Sequence, residues 1–287
     1  MKIAYFDCFS GISGDMCLGA LLAAGVDAAA WRGELAKLPL SGYEIRQEKI
    51  QQNGITAANI FVDVVESDQP ERHLADIVEI VQKSALSEEV KEKSIAVFQR
   101  LAVAEARVHD TVPERIHFHE VGAVDAVIDV VGTVVGLSLL GVERVCASPL
   151  PMGKGFIKCR HGLIPSPAPA TMEVLKNVPV YGSGIEAELV TPTGAALIAT
   201  LAADFTELPP MVVQAVGYGS GKKVMNHPNL LRVVLGDSFE FKQPPAYHRH
   251  THGHHEHGPG RHYHGHHHSP APDDHSGSGE EDTGSPA

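Results

Sequence analysis

The sequence predicts a mixed α/β body followed by an unfolded histidine-rich tail, and three observations carry that reading. Strand-length apolar runs and stretches of helical periodicity interleave from Lys2 to Ala203. The chain has 287 residues, 43% of them hydrophobic and 20% charged, enough apolar material before its last segment for a sizeable core. After Phe241 the composition changes, with Lys242-Gln243-Pro244-Pro245 leading into His, Gly, Pro, Ser and acids almost without aliphatic residues. The expected division is a body over 1–241, with room for a break into two subdomains near 148–165, and a tail over 242–287 that cannot fold on itself.

Lys2 to Phe6 reads as an opening strand and Gly14 to Ala24 as a small-residue helix with Asp15 in its first turn, joined by the loop Asp7 to Ser13. Tyr43 to Gln51 and Ile55 to Val65 read as a hairpin around Asn53-Gly54. Leu74 to Lys83 and Glu88 to Val108 carry helical periodicity. A strand-like His117-Phe118-His119, a helix from about Gly122 to Leu140 and the strand Val142 to Ala147 follow. Frequent Gly and Pro from Pro149 to Pro169 then predict strands and loops, with short helices near Thr171 to Lys176 and Thr193 to Ala203.

The longest apolar stretch, Gly122 to Val142, is interrupted by Asp125 and Asp129, and no charged segment with a small-residue cleavage site opens the chain. No membrane span and no secretion are expected. Cys8, Cys17, Cys146 and Cys159 lie far apart without a CxxC pair, as reduced cytoplasmic thiols do. A net charge of −12 without a Lys/Arg cluster argues against nucleic acid and is compatible with a cation. Homo-oligomer formation stays open.

The densest constellation is His117, His119, Glu120, Asp125 and Asp129, five metal-competent side chains within one short stretch. In an extended segment residues two apart share a face, so His117 and His119 point together; in a helix residues four apart do, so Asp125 and Asp129 project together. Imidazoles with carboxylates suit a borderline divalent ion such as Ni²⁺, Zn²⁺, Co²⁺ or Mn²⁺. The plainer alternative is a polar network in which Asp125 caps the helix. Carboxylates on an otherwise apolar helix are costly unless paired or metal-bound, which favours the metal.

The opening loop offers Asp7, Ser10 and Asp15 as candidate catalytic residues, with Gly11 and Gly14 placed to present backbone N–H groups to a phosphate. A tight turn with Asp15 complementing the helix dipole explains the same residues. Thr191, Thr193 and Gly194 before a small-residue helix form a second candidate phosphate cradle, or an ordinary threonine cap. Gly217 to Lys223 and His161-Gly162 have the glycine content of loops that approach an anion. His73 is a metal ligand or a cap, and His109 and His227 are expected to be solvated.

Of 18 histidines, 12 lie between His248 and His275. His252, His254, His255, His257, His264, His266, His267 and His268 form the densest part, a flexible imidazole tract able to hold several Ni²⁺, Cu²⁺ or Zn²⁺ ions. Interruption by Gly, Glu and Pro distinguishes it from an expression tag.

Tyr5–Met16, His117–Gly132, His161–Thr171, Glu188–Leu197 and Gly217–Gly221, with a histidine tract after them, resemble the LarC-type nickel-insertion family of nickel-pincer cofactor assembly. The resemblance implies insertion of Ni²⁺ into a pyridinium-3,5-bisthiocarboxylic acid mononucleotide through Ni–S and Ni–C bonds, a chelatase or cyclometallase reaction of the lyase class. It further implies CTP hydrolysis with Mn²⁺ or Mg²⁺, and a racemase or epimerase that receives the cofactor. Full-length members continue past the histidine tract into a domain associated with nucleotide binding, so this chain resembles an amino-terminal part that works with a separately encoded or frameshift-joined carboxy-terminal domain. The residues themselves leave two other readings, a nickel chaperone or store without chemistry, and a metal-dependent phosphohydrolase using Asp7, Asp15 and the His117 cluster.

Overall fold

The computed structural model describes residues 1–65, 72–116, 118, 124–159 and 162–239. In chain order its elements are β1 (Lys2–Asp7), α1 (Gly14–Ala23), α2 (Ala28–Leu35), β2 (Tyr43–Gln52), β3 (Ile55–Val64), α3 (Leu74–Lys83), α4 (Glu88–Val108), α5 (Val124–Leu139), β4 (Arg144–Ala147), β5 (Leu150–Met152), β6 (Phe156–Cys159), β7 (Gly162–Pro165), α6 (Pro169–Val174), β8 (Val180–Gly182), α7 (Pro192–Leu201), β9 (Asp204–Phe205), β10 (Met211–Ser220) and β11 (Leu230–Ser238). The expected mixed α/β class is what forms. No helix among the described residues is long and apolar enough to cross a membrane.

Seven strands make one mixed sheet in the order β2-β3-β10-β11-β1-β4-β9. β1 lies near its centre, antiparallel to β11 and parallel to β4. The strand period of two divides its side chains: Ala4 and Phe6 enter the large core under the helices, while Ile3 and Tyr5 form a small cluster with Cys146 and Val234 on the other face. Two short pairs, β5 with β8 and β6 with β7, make up the Pro- and Gly-rich region.

α1 packs directly on β10, β3 and β11, and its small residues allow backbone-to-backbone approach. A Cβ on Gly217 would lie 2.0 Å from the Ala20 carbonyl oxygen, and one on Gly219 only 1.8 Å from that of Met16. Here the expectation of an anion-approaching loop is corrected for Gly217 and Gly219. Gly217 and Gly219 lie within strand β10, and their missing side chains make room for α1.

Helix α2 and strands β8, β9, β10 and β11 escaped the sequence reading. α2 is capped by Asp27, whose carboxylate accepts from the Ala30 N–H at 2.6 Å, and its Trp31 is tied to α5 by Nε1 donating to the Gly132 carbonyl at 2.8 Å. Strands β10 and β11 pair over nearly their whole length. Cys8, Cys17 and Cys146 are buried thiols, and burial pushes all three pKa values up, so none is poised as a thiolate ligand.

Candidate functional site

Three helices start beside one another: α1 after β1, α5 with Asp125 in its first turn, and α7 behind its Thr191 cap. Ser13, Gly14, Asp15, Asp125, Asp129, Glu188, Thr191, Pro192, Thr193 and Lys222 line a cavity of about 270 Å³ there. Helix amino termini carry partial positive charge and favour anions, so the position explains why carboxylates collect here.

The loop from β1 is fixed by backbone pairing. Ile12 N–H donates to the Leu189 carbonyl at 2.9 Å, Thr191 N–H returns to the Ile12 carbonyl at 3.1 Å, and Gly11 N–H closes a turn onto the Cys8 carbonyl at 2.9 Å. Gly11 has φ +102, a left-handed conformation, and a Cβ there would strike the Leu189 oxygen at 1.9 Å. Its N–H and that of Ile12 are therefore spent on the fold. The side of the loop that faces the cavity is the first turn of α1.

Asp15 accepts from the Ser13 hydroxyl and, at 3.0 Å, from the Met16 N–H, and it pairs with Lys222 Nζ at 3.2 Å. Asp129, one turn into α5, lies against Gly14, where a Cβ would meet its Oδ2 at 2.3 Å. Among the described residues its buried Oδ1 has no hydrogen-bond partner. Desolvation, with repulsion from Asp15 and Asp125, raises the Asp129 pKa well above the usual carboxylate value, and Lys222 opposes this. Asp125 keeps an exposed edge, yet desolvation by the crowded wall raises its pKa too, against a 2.9 Å bond from the Ala126 N–H and the charge of Lys222. A carboxylate raised in this way and left with an orphaned oxygen fits a divalent cation, and an all-oxygen set suits a hard one. Among the described residues no three metal-competent side chains converge as a finished ligand set.

The family model described as nickel insertion protein matches residues 4–258. This chain belongs to the nickel insertion protein family. Within it, a protein of Desulfitobacterium hafniense strain DCB-2 named pyridinium-3,5-bisthiocarboxylic acid mononucleotide nickel insertion protein is 52% identical over 237 residues, 83% of this chain and 59% of that protein. A protein of the same name from Geobacillus kaustophilus is 44% identical over 247 residues, 83% of this chain and 60% of its own length. The chain thus spans about three-fifths of the length of these curated relatives. No solved structure matches.

For this nickel insertion family member, the structure brings Asp15, Gly14, Asp125, Asp129, Thr191 and Thr193 to one cavity. Thr191 also acts as the expected cap, accepting from the Gly194 N–H at 3.2 Å, while Gly194 lies tight against the Ile12 carbonyl. Asp7 and Ser10 go elsewhere. Asp7 Oδ2 takes Arg232 Nε at 2.9 Å together with Nη2, so a guanidinium fills the place expected for a cation. Ser10 is fully buried and its hydroxyl is 2.8 Å from His227 Nε2. His227 is half-buried and bonded, which corrects the expectation that it is solvated; His109 is exposed, beside Glu105.

His73 occupies the cap position of α3, its N–H donating to Asp76 at 2.7 Å and its Nδ1 lying 3.0 Å from the Ile116 carbonyl. The Phe118 N–H donates to the Arg72 carbonyl at 3.3 Å, so Phe118 lies beside the residue that precedes His73. His117, His119, Glu120, His161 and the tail histidines His252, His254, His255, His257, His264, His266, His267 and His268 lie outside the described residues. Sequence reasoning missed Ser13, Glu188 and Lys222. Glu188 lies three residues before the Thr191 cap and Lys222 two residues after the end of β10, and neither position along the chain announces a cavity.

Proposed function

We propose that this chain binds Ni²⁺ and inserts it into pyridinium-3,5-bisthiocarboxylic acid mononucleotide, producing the nickel-pincer cofactor of lactate racemase-type enzymes. Membership of the nickel insertion family supports the metal, and the carboxylate cavity at three helix amino termini is the structural observation that carries the reading. Nickel is the substrate. Imidazoles are its natural nitrogen donors, and His73, His117 and His119 with Glu120 are the residues assigned to it. Asp15, Asp125 and Asp129 suit a hard Mn²⁺ or Mg²⁺ ion, which supplies positive charge for phosphate-bearing groups. CTP is assigned to the carboxy-terminal domain with which this chain would act in the cytoplasm.

The test is to incubate the chain with Ni²⁺, the dithiocarboxylate nucleotide and CTP, with and without the carboxy-terminal domain. Mass spectrometry should detect the metallated product in the complete mixture; its absence there overturns the proposal. The histidine tract favours a second reading, nickel storage alone, which predicts bound nickel and no product.

Truncation after Phe241 separates body from tail. Calorimetry should show a tight, preorganised class of nickel sites that survives the truncation and a looser class that disappears with it, because each tail site must order the chain on binding. Complete loss of nickel binding would remove the body site. Nickel affinity should also collapse between neutral pH and about 5, since imidazoles ordinarily take up a proton near ~6.5 and lose the lone pair that binds the metal. Unchanged binding at the lower pH would exclude histidine ligands.

A further inference from the structure

Ser10 and His227 stand 217 residues apart in sequence and meet in the fold, the Ser10 hydroxyl 2.8 Å from His227 Nε2. That is the spacing of a nucleophile and its base, yet this serine cannot attack. Ser10 is 0% exposed, and the neighbouring N–H groups of Gly11 and Ile12, which could have cradled an oxyanion, donate to the Cys8 and Leu189 carbonyls. The pair works in the other direction. A buried hydroxyl on a pinned loop fixes a half-buried imidazole at the surface.

The loop that carries His227 is itself tied down. Gly221 N–H donates to the Asn229 carbonyl at 2.9 Å, Asn229 Nδ2 donates to the Lys223 carbonyl at 2.9 Å, and Asn229 N–H donates to Gln52 Oε1 at 2.7 Å. His227 borders a second space of about 670 Å³, which shares Glu188 with the carboxylate cavity. Polar Glu186, Glu188 and Asn226 line this space, and Phe156 and Val224 beside them are 70% and 100% exposed, so it is open to water and to hydrated ions. Among the described residues His227 has no partner besides Ser10, which leaves Nδ1 unpaired.

We propose that His227 Nδ1 and the Glu188 carboxylate bind Ni²⁺ in this second space, at a position the ion can leave again. One imidazole with one carboxylate suits a borderline divalent ion. Binding through Nδ1 places the ring proton on Nε2, where it donates to Ser10 Oγ; such a bond aims a ligating histidine and fixes its tautomer. Lys223 Nζ, 3.9 Å from Glu188 on a side chain 54% exposed, makes only a weak surface pairing that a divalent ion displaces. Two protein ligands leave the remaining coordination positions to water or an incoming sulfur. A closed set of four would keep a metal that is meant to be passed on.

The identity of the ion rests on the nickel-insertion reading; the Ser10–His227 geometry does not. The test uses the full chain labelled with ¹³C-methyl methionine and titrated with Ni²⁺. Met225 lines the same space, so a paramagnetic ion bound there shifts or broadens its methyl signal, identified by its absence from Met225→Leu. Met172, 43% exposed on α6, reports any diffuse effect of nickel held by the tail. The Met225 signal should respond well before that of Met172. His227→Gln should abolish the response with the tail intact, and Glu188→Gln and Ser10→Ala should each require about tenfold more nickel, the usual scale for loss of a ligand's support. His227→Gln changes a loop residue and keeps the test decisive if Ser10→Ala does not fold. A Met225 signal that never responds, responds only together with Met172, or responds as in the wild type in His227→Gln or in a folded Ser10→Ala overturns the proposal. The readout is bound nickel and not product, so failure of insertion and failure of this ligand pair are read separately.

Discussion

Gly219→Ala should unfold the body or leave it severely destabilised, by about 3 kcal/mol or more, the upper range for forcing atoms into a packed interior. The added Cβ would stand 1.8 Å from the Met16 carbonyl oxygen and 2.6 Å from the Ala20 nitrogen, both backbone atoms of α1 that cannot rotate away. Relief requires lifting α1 off β10. That movement would also displace Gly14 and Asp15, so whatever protein folds should bind cations poorly. Gly33→Ala is the matched control: its Cβ meets nothing within 4 Å, it lies within α2, and helix propensity predicts a gain of up to ~1 kcal/mol. Urea denaturation of both variants checks the pair. A Gly219→Ala protein as stable as the wild type would show that the helix–sheet contact is looser than described.

Asp129→Asn should make the metal-free protein more stable near neutral pH while removing its response to divalent ions. Burial raises the folded-state pKa of Asp129, so its protonated form is favoured by folding. The unfolded carboxyl ionises near ~3.9, and folded stability falls as pH rises from there through the raised folded value, then levels off. Asparagine never ionises and escapes that loss. The variant should match the wild type at acid pH and melt higher at neutral pH, by ~2–4 °C if the relief is about 1 kcal/mol in a body of this size. Added Mg²⁺ or Mn²⁺ should stabilise the wild type by mass action and leave the variant unmoved. Product formation should drop at least about tenfold, the usual scale for damage to a metal site. A variant that melts lower than the wild type at neutral pH, or still responds fully to the ions, would place the cation elsewhere.

Local pattern made the histidine tract, the N-capped helices and the pairing of Asp125 with Asp129 legible, because a period or a composition over a few residues decides each of them. The nickel family was legible for the same reason, its motifs being contiguous runs such as Tyr5–Met16 and Glu188–Leu197. The sequence by itself determined the α/β class, the two aspartates on one helix face and the compositional break after Phe241. Only the tertiary structure decided which loop residues meet them. Asp7 and Asp15 look equivalent along the chain, yet Arg232, 225 residues from Asp7, claims Asp7 across the β1–β11 pair, while Asp15 turns into the cavity beside Lys222. Gly217 and Gly219 read as a loop because glycine marks turns locally; the sheet uses them because α1 must approach within backbone contact. Partners set by strand register and helix packing lie far apart in sequence, and no local period encodes them.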